Sequence, residues 1–195
     1  MNQFSHEPVC IALAGPMCSG KTYVSEWLQR RYGTLQFKRI GFGDEVKRFV
    51  QLLWNPTKKD RKLLVEFATS MRAIDEDIWV NRMLKTINVS DHQNWICDDL
   101  RQHNELSALQ KRGWLLVRIC VPEDVRRARL QMKYPDDYQS HLAYSQHSTE
   151  NEMDETREDV FACTIDTSDE GQWSKMLDTV IQERFNVHPS SQTSY

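Results

Sequence analysis

The residues best suited to chemistry lie at positions 15–22, Gly-Pro-Met-Cys-Ser-Gly-Lys-Thr. Their spacing fits G-x-x-x-x-G-K-[ST], a turn whose backbone N–H groups curl inward around phosphate oxygens. Gly15 and Gly20 supply the conformational freedom for that curl. Cys18 and Ser19 belong to the wall of the same cradle. Lys21 is placed to reach the β- and γ-phosphates of a nucleotide, and the Thr22 hydroxyl to ligate Mg²⁺. The apolar run 9–14 ahead of the loop reads as a strand, and 23–31 after it as a helix. The positive N-terminal end of that helix adds to the attraction for phosphate. A chance glycine-rich turn would match somewhere in such a chain with odds of about 1 in 100 at average glycine usage. The strand before and helix after lower those odds further.

Three other groups carry charge where a phosphate site could use it. The run Asn94-Trp-Ile-Cys-Asp-Asp-Leu100 reads as a strand ending in two adjacent carboxylates. In parallel sheets ligands gather beyond the carboxyl ends of strands, and an acidic residue there is the usual partner of Mg²⁺. Period-two alternation puts Asp98 and Asp99 on opposite faces, so one of them is expected to serve. Capping of the following helix, 102–112, is the competing role. Arg126 and Arg129 share a helix face after the fourth strand and could stabilise charge on a moving phosphoryl group, or simply solubilise the helix. Arg72 ends an apolar helix face, where it could act on a substrate or satisfy helix carbonyls.

The elements that must position these groups alternate along the chain. Apolar runs at 9–14, 35–41, 95–98, 114–121 and 161–165 are separated by helical stretches. That is the pattern of a five-stranded parallel sheet covered by helices on both faces, an α/β three-layer fold. Between the second and third strands lies an insert, 43–90, that reads as three helices, 44–54, 58–72 and 77–87. Inserts at this point commonly build the second wall of a cleft. The polar stretch 134–159 reads as a long loop, and 123–159 as a lid region over the site. Asp60 and Thr57 read as helix caps.

The chain has 195 residues, 39% hydrophobic and 27% charged, with a net charge of −3. It reads as one domain, large enough for such a sheet. A weakly acidic balance argues against a nucleic-acid partner. No apolar stretch approaches a membrane span and no leader is visible, so a cytoplasmic protein is expected. Cys10, Cys97, Cys120 and Cys163 fall in separate strands and read as small core residues in a reducing compartment. No C-x-x-C pair supports zinc, and the loose spacing of His141 and His147 argues against a metal there. Residues 188–195 read as a frayed tail.

Among phosphate-binding classes, a GTPase switch would need Asp-x-x-Gly after its third strand, and no glycine in this chain has an Asp three residues before it. A nucleic-acid ATPase core would be larger and more basic. A small-molecule kinase remains.

Over roughly residues 11–181 the chain resembles the viral and phage deoxynucleoside monophosphate kinases. The matching pieces are the phosphate loop, Phe42-Gly-Asp-Glu-Val-Lys47, Met71-Arg-Ala-Ile-Asp-Glu-Asp-Ile-Trp-Val80, Asp99-Leu-Arg-Gln-His-Asn-Glu105, Arg126-x-x-Arg129 and His147-Ser-Thr-Glu150. The resemblance implies transfer of the ATP γ-phosphoryl group to a nucleoside monophosphate, with ATP and Mg²⁺ as cofactors. It implies that Asp44, Lys47, Arg72, Trp79, Arg101 and Glu150 serve the small-molecule nucleotide substrate, with Asp99 near the metal and at the substrate's edge. Arg126 and Arg129 become lid arginines, and Thr167 stands where the family carries an adenine-contacting Asn. The class allows a homodimer. Animal phosphomevalonate kinases share the layout and give the alternative acceptor.

Overall fold

The computed structural model describes residues 7–58, 60–89, 93–145, 153 and 156–190. Five strands, β1 (Cys10–Ala14), β2 (Lys38–Ile40), β3 (Trp95–Leu100), β4 (Leu115–Cys120) and β5 (Cys163–Asp166), form one sheet. All pair in parallel, in the order β2-β3-β1-β4-β5. The strand leading into the phosphate loop is therefore central. β3, with its terminal carboxylates, lies directly beside it.

The layers follow from strand periodicity. Ile11 and Leu13 point to one face, where α1 (Lys21–Arg31) and the last helix, α8 (Glu170–Phe185), bring Val24, Leu28, Trp173, Leu177 and Ile181. Cys10, Ala12 and Ala14 point to the other, against Val80 and Met83 of α4 (Ile78–Val89) and Leu106 and Leu109 of α5 (His103–Gln110). Each fully buried Leu or Ile contributes about 1.5–3 kcal/mol, so this double-sided core holds β1 and its loop firmly.

The insert has a separate, smaller core. α2 (Phe42–Trp54), α3 (Arg61–Ile74) and the start of α4 converge on Val46, Ala68 and Trp79, with Phe49, Phe67 and Met71 packed around them. Asp60 caps α3 by accepting the Leu63 N–H at 2.9 Å, as its sequence position suggests. Among the described residues, two more helices lie between β4 and β5: α6 (Glu123–Lys133) and α7 (Tyr138–Ser145). Among the described residues no helix is long and apolar enough to cross a membrane.

Four expectations need correction. Leu35 does not open β2; it closes a short 3₁₀ turn, and Gln36 then adopts left-handed φ 48° before the strand begins at Lys38. The run 134–159 is not structureless, because α7 lies within it. Only Cys10 and Cys97 of the four strand cysteines are buried; Cys163 is half-buried and Cys120, at the end of β4, is exposed. Residues up to Ser190 are docked rather than frayed, with the Ser190 N–H donating to the Arg31 carbonyl at 2.9 Å.

Candidate active site

After Ala14 the chain turns at Gly15 (φ 151°), and a Cβ there would collide with the Ile119 carbonyl of β4. Gly20 (φ 102°) stands at the N-cap of α1, where a Cβ would lie 3.0–3.1 Å from the Thr167 side chain. Both positions exclude a side chain, by backbone conformation and by space. Cys18 also has a left-handed φ, 63°, which an L-residue adopts only at a cost in strain. The curled loop brings Lys21 back over its own start. Its ammonium is buried and donates to the carbonyls of Gly15 at 2.5 Å and Pro16 at 2.8 Å. Burial, then the nearby Arg101 charge, pushes the Lys21 pKa down to about 7.

The loop is braced from behind. The Thr167 hydroxyl donates to the Ser19 carbonyl at 2.6 Å. Arg129 in turn grips Thr167 through its hydroxyl and its carbonyl, both at 2.9 Å. Arg126 forms a two-pronged pair with Glu123, at 2.6 and 2.9 Å, and reaches the Met17 carbonyl at 3.5 Å. Arg126 first, then Arg127, whose Nε donates to Glu123 at 2.7 Å, hold the Glu123 carboxyl down at about 2. Arg126 and Arg129 of α6 thus touch the phosphate loop and its neighbour Thr167.

Beyond the loop opens a cavity of about 580 Å³. One wall is Cys18, Gly20, Lys21 and Thr22, with Arg129 beside them. The opposite wall belongs to the insert: Gly43 and Lys47 from α2, and Arg61, Leu64, Ala68 and Arg72 from α3. Asp98, Asp99, Arg101 and Glu105 form the floor, and Lys133 and Tyr134 the rim. His141 of α7 stacks on Tyr134 with centroids 3.7 Å apart, and its Nδ1 lies 3.1 Å from Arg61, tying α7 to α3.

The floor carboxylates have definite partners. Asp99 Oδ1 accepts from the Phe42 N–H at 2.9 Å and Oδ2 from the Gly43 N–H at 3.0 Å. It caps α2, a role usually taken by the preceding residue itself. That residue is Gly41, and a Cβ on it would lie 2.6 Å from Asp99 Oδ2, so glycine is what admits the carboxylate. Asp98 is buried and meets the Arg39 guanidinium at 2.7 Å. Glu105 is buried too, and its Oε2 accepts from the N–H groups of Arg101 at 2.9 Å and Gln102 at 3.1 Å. Burial, followed by the Asp99 charge, pushes its pKa up to about 7.

The residues singled out in the sequence therefore divide. Cys18, Gly20, Lys21, Thr22, Lys47, Arg72, Asp99, Arg101 and Arg129 meet at the cavity. Gly15, Ser19, Arg126 and Thr167 lie behind it as loop supports. Asp44 does not line it; Lys47 at 2.9 Å and Arg39 at 3.1 Å hold its carboxylate. Burial opposes Asp44's charge, but those cations outweigh it and keep the pKa below the usual value. Trp79 sits in the insert core, 2% exposed, its indole N–H donating to the Ala68 carbonyl at 3.2 Å. The aromatic face that the substrate reading wanted is spent on packing. Glu150 lies outside the described residues. The strand-end pair also departs from the alternation argument, since both Asp98 and Asp99 reach the cavity.

Sequence reasoning missed Arg61, Arg39, Lys133, Tyr134 and the cap role of Asp99. One signal for Arg61 was available. It precedes Arg72 by about three helical turns, so the two share a face of α3.

A family model described as an AAA domain matches residues 11–158, about three quarters of the chain. The chain belongs to the AAA domain family. No curated protein matches it. Among solved structures, this AAA domain is similar to TT1252 from Thermus thermophilus, with TM-score 0.55 and 14% identity, over 91% of this chain and 98% of that one. It is similar to a shikimate kinase from Acinetobacter baumannii, solved with shikimate, with TM-score 0.55 and 15% identity, over 92% and 96%. A sugar kinase from a Janibacter species gives TM-score 0.53 and 13% identity, over 90% and 95%. At these identities the likeness establishes the fold. The AAA domain described here has the P-loop kinase fold, and its five parallel strands with helices on both faces agree with the layers read from the sequence.

Proposed function

We propose that this protein is a kinase that transfers the ATP γ-phosphoryl group to a (deoxy)nucleoside 5′-monophosphate, giving the diphosphate. The observation that carries this reading is the pairing of walls across one cavity. The phosphate loop faces Lys47, Arg61, Arg72 and Arg101, a cation-rich wall suited to a second polyanion. A neutral hydroxyl acceptor would call for a base, yet Asp98, Asp99 and Glu105 are each engaged by a cation or by backbone amides. An acceptor that is already anionic needs none. Of the residues that the resemblance to viral and phage deoxynucleoside monophosphate kinases assigns to the substrate, Lys47, Arg72 and Arg101 support this reading and Asp44 and Trp79 do not, and a phosphomevalonate-type acceptor has the same charge.

In this reading the loop amides and Lys21 hold the donor's terminal phosphates. Arg72 and Arg101 set the acceptor phosphate in line with them, and Arg129 adds charge at the donor side. The left-handed Gly15 and Gly20, whose missing side chains leave the loop its curl, suit a polyphosphate. The Thr22 hydroxyl and Asp98 carboxylate are hard oxygen donors of the kind Mg²⁺ takes, directly or through water. Asp98 fits better than Asp99, whose two oxygens are capping α2. Mg²⁺, when bound, neutralises charge building on the transferring group. α7, through His141, braces Arg61 and Tyr134, two residues that line the cavity.

A coupled ADP-release assay over ribo- and deoxynucleoside monophosphates and phosphomevalonate tests the reading. Monophosphate-stimulated turnover, lost about 1,000-fold or more in Lys21→Ala with melting unchanged, is expected. No stimulation by any nucleotide overturns it, and stimulation by phosphomevalonate alone moves the assignment to that acceptor.

A further inference from the structure

Glu105 carries more charge than its visible structural duty needs. Its Oε2 closes the capping box of α5, accepting from the Arg101 and Gln102 N–H groups at 2.9 and 3.1 Å. Glutamine performs that capping as well as glutamate. A carboxylate that is only 3% exposed costs desolvation that glutamine would not. The second oxygen explains the difference. Oε1 faces the Arg72 guanidinium at 3.8 Å, across the cavity floor from α3.

We propose that Glu105 is a positioning residue that sets two arginines from separate elements, Arg72 of α3 and Arg101 of the β3–α5 turn, as one clamp for a phosphate monoester dianion. The proposal rests on the kinase reading above for what the clamp is used for, but not for its existence. The geometry suits a hand-over. At 3.8 Å the Glu105–Arg72 pair is close enough to aim the guanidinium yet too long for a strong hydrogen bond. An arriving phosphate, with three exposed oxygens and two charges, can take the guanidinium in two-pronged fashion. Meanwhile the other oxygen of Glu105 keeps the Arg101 turn fixed.

The sign of one measurement separates this role from a structural one. Glu105→Gln keeps the cap and removes the charge. If Glu105 were only a cap, or a bystander anion beside an anion site, the variant would bind inorganic phosphate as tightly as the parent or more tightly. Positioning of Arg72 instead predicts phosphate binding weakened about tenfold in calorimetry, with the melting midpoint held. In turnover the variant should raise the KM of the best monophosphate of the panel about tenfold, with the KM for ATP unchanged. In an Arg72→Gln background the second substitution should add no loss. Equal or tighter phosphate binding by Glu105→Gln, an additive loss in the double variant, or no phosphate binding by the parent would each overturn the proposal. Phosphate binding does not need turnover, so a protein that phosphorylates no monophosphate still tests the clamp. Should Glu105→Gln not fold, Arg72→Gln serves: amide exchange at Arg101 and Gln102 should accelerate if the pair is coupled, and unchanged exchange overturns it.

Discussion

The two walls of the cavity are built by different means. The wall proposed for the donor is backbone: a loop with left-handed glycines, sewn to β4, the end of β5 and α6 by carbonyl contacts and rooted in a core packed from both sides. The acceptor wall is side chain. Arginines and a lysine project from helices whose own core, among the described residues, is three buried residues with a fringe around them. A phosphate chain is the same in every nucleotide, so a rigid cradle serves. An acceptor varies, and long cationic side chains on a lightly anchored platform can be retuned without disturbing the cradle.

The largest expected effect tests whether that platform is separable. Trp79→Ala removes the centre of the insert core and should cost about 3–5 kcal/mol. Amide exchange should rise across α2 and α3 while binding of a non-hydrolysable ATP analogue stays near the parent value. Analogue binding lost in step with exchange would make the two walls one cooperative unit. On the donor side, Gly15→Ala forces a side chain into a left-handed turn against the Ile119 carbonyl, at about 2–3 kcal/mol by urea unfolding. It should abolish analogue binding while exchange in α2 and α3 stays unchanged.

A smaller effect belongs to the seam between the walls. Asp99→Ala uncaps α2 and should cost about 1–2 kcal/mol, whereas Asp99→Asn, a good cap, should recover most of it. If Asp99 instead holds the metal, the Asn variant will show normal melting but a raised Mg²⁺ requirement, a result expected of Asp98→Asn.

The smallest is a proton. Lys21 has its pKa lowered to about 7, so at pH 8 most of it is neutral and at pH 6 most is charged. A bound polyphosphate favours the ammonium. Binding should therefore take up nearly one proton at pH 8 and very little at pH 6, and affinity should fall as pH rises above 7. Calorimetry in buffers of different ionisation heat measures the uptake, and Lys21→Met should remove it.

The donor wall was legible in the sequence because its chemistry is local. Eight consecutive residues fix the loop, and the preceding and following periodicities fix the strand and helix that carry it. The sheet was legible for a similar reason: strands buried on both faces read as continuous apolar runs. What could not be read depends on distant partners. Asp99 becomes a cap for α2 only because Gly41 lets it approach from another strand. Trp79 carries the same sequence signature as a substrate-stacking residue, and only its neighbours Phe49 and Phe67 assign it to a core. α7 has weak periodicity of its own and is held by contacts of His141 with Tyr134, seven residues before it, and with Arg61, 80 residues away and outside any local window.

Four of the described helices, α1, α2, α3 and α5, have their N-terminal ends at the cavity, and all but α1 have first amides already met by a carboxylate, Asp99 for α2, Asp60 for α3 and Glu105 for α5. α1 starts at Gly20 with no side-chain cap, whereas the first amides of α2 are already answered by a carboxylate. A long polyanion entering the cleft thus meets attractive backbone potential at one end only. The cleft acquires a polarity, like a plug that fits one way round. On the proposed kinase reading, a triphosphate should seat against α1 and a monophosphate against the arginines, and the reverse docking is disfavoured before any base is recognised.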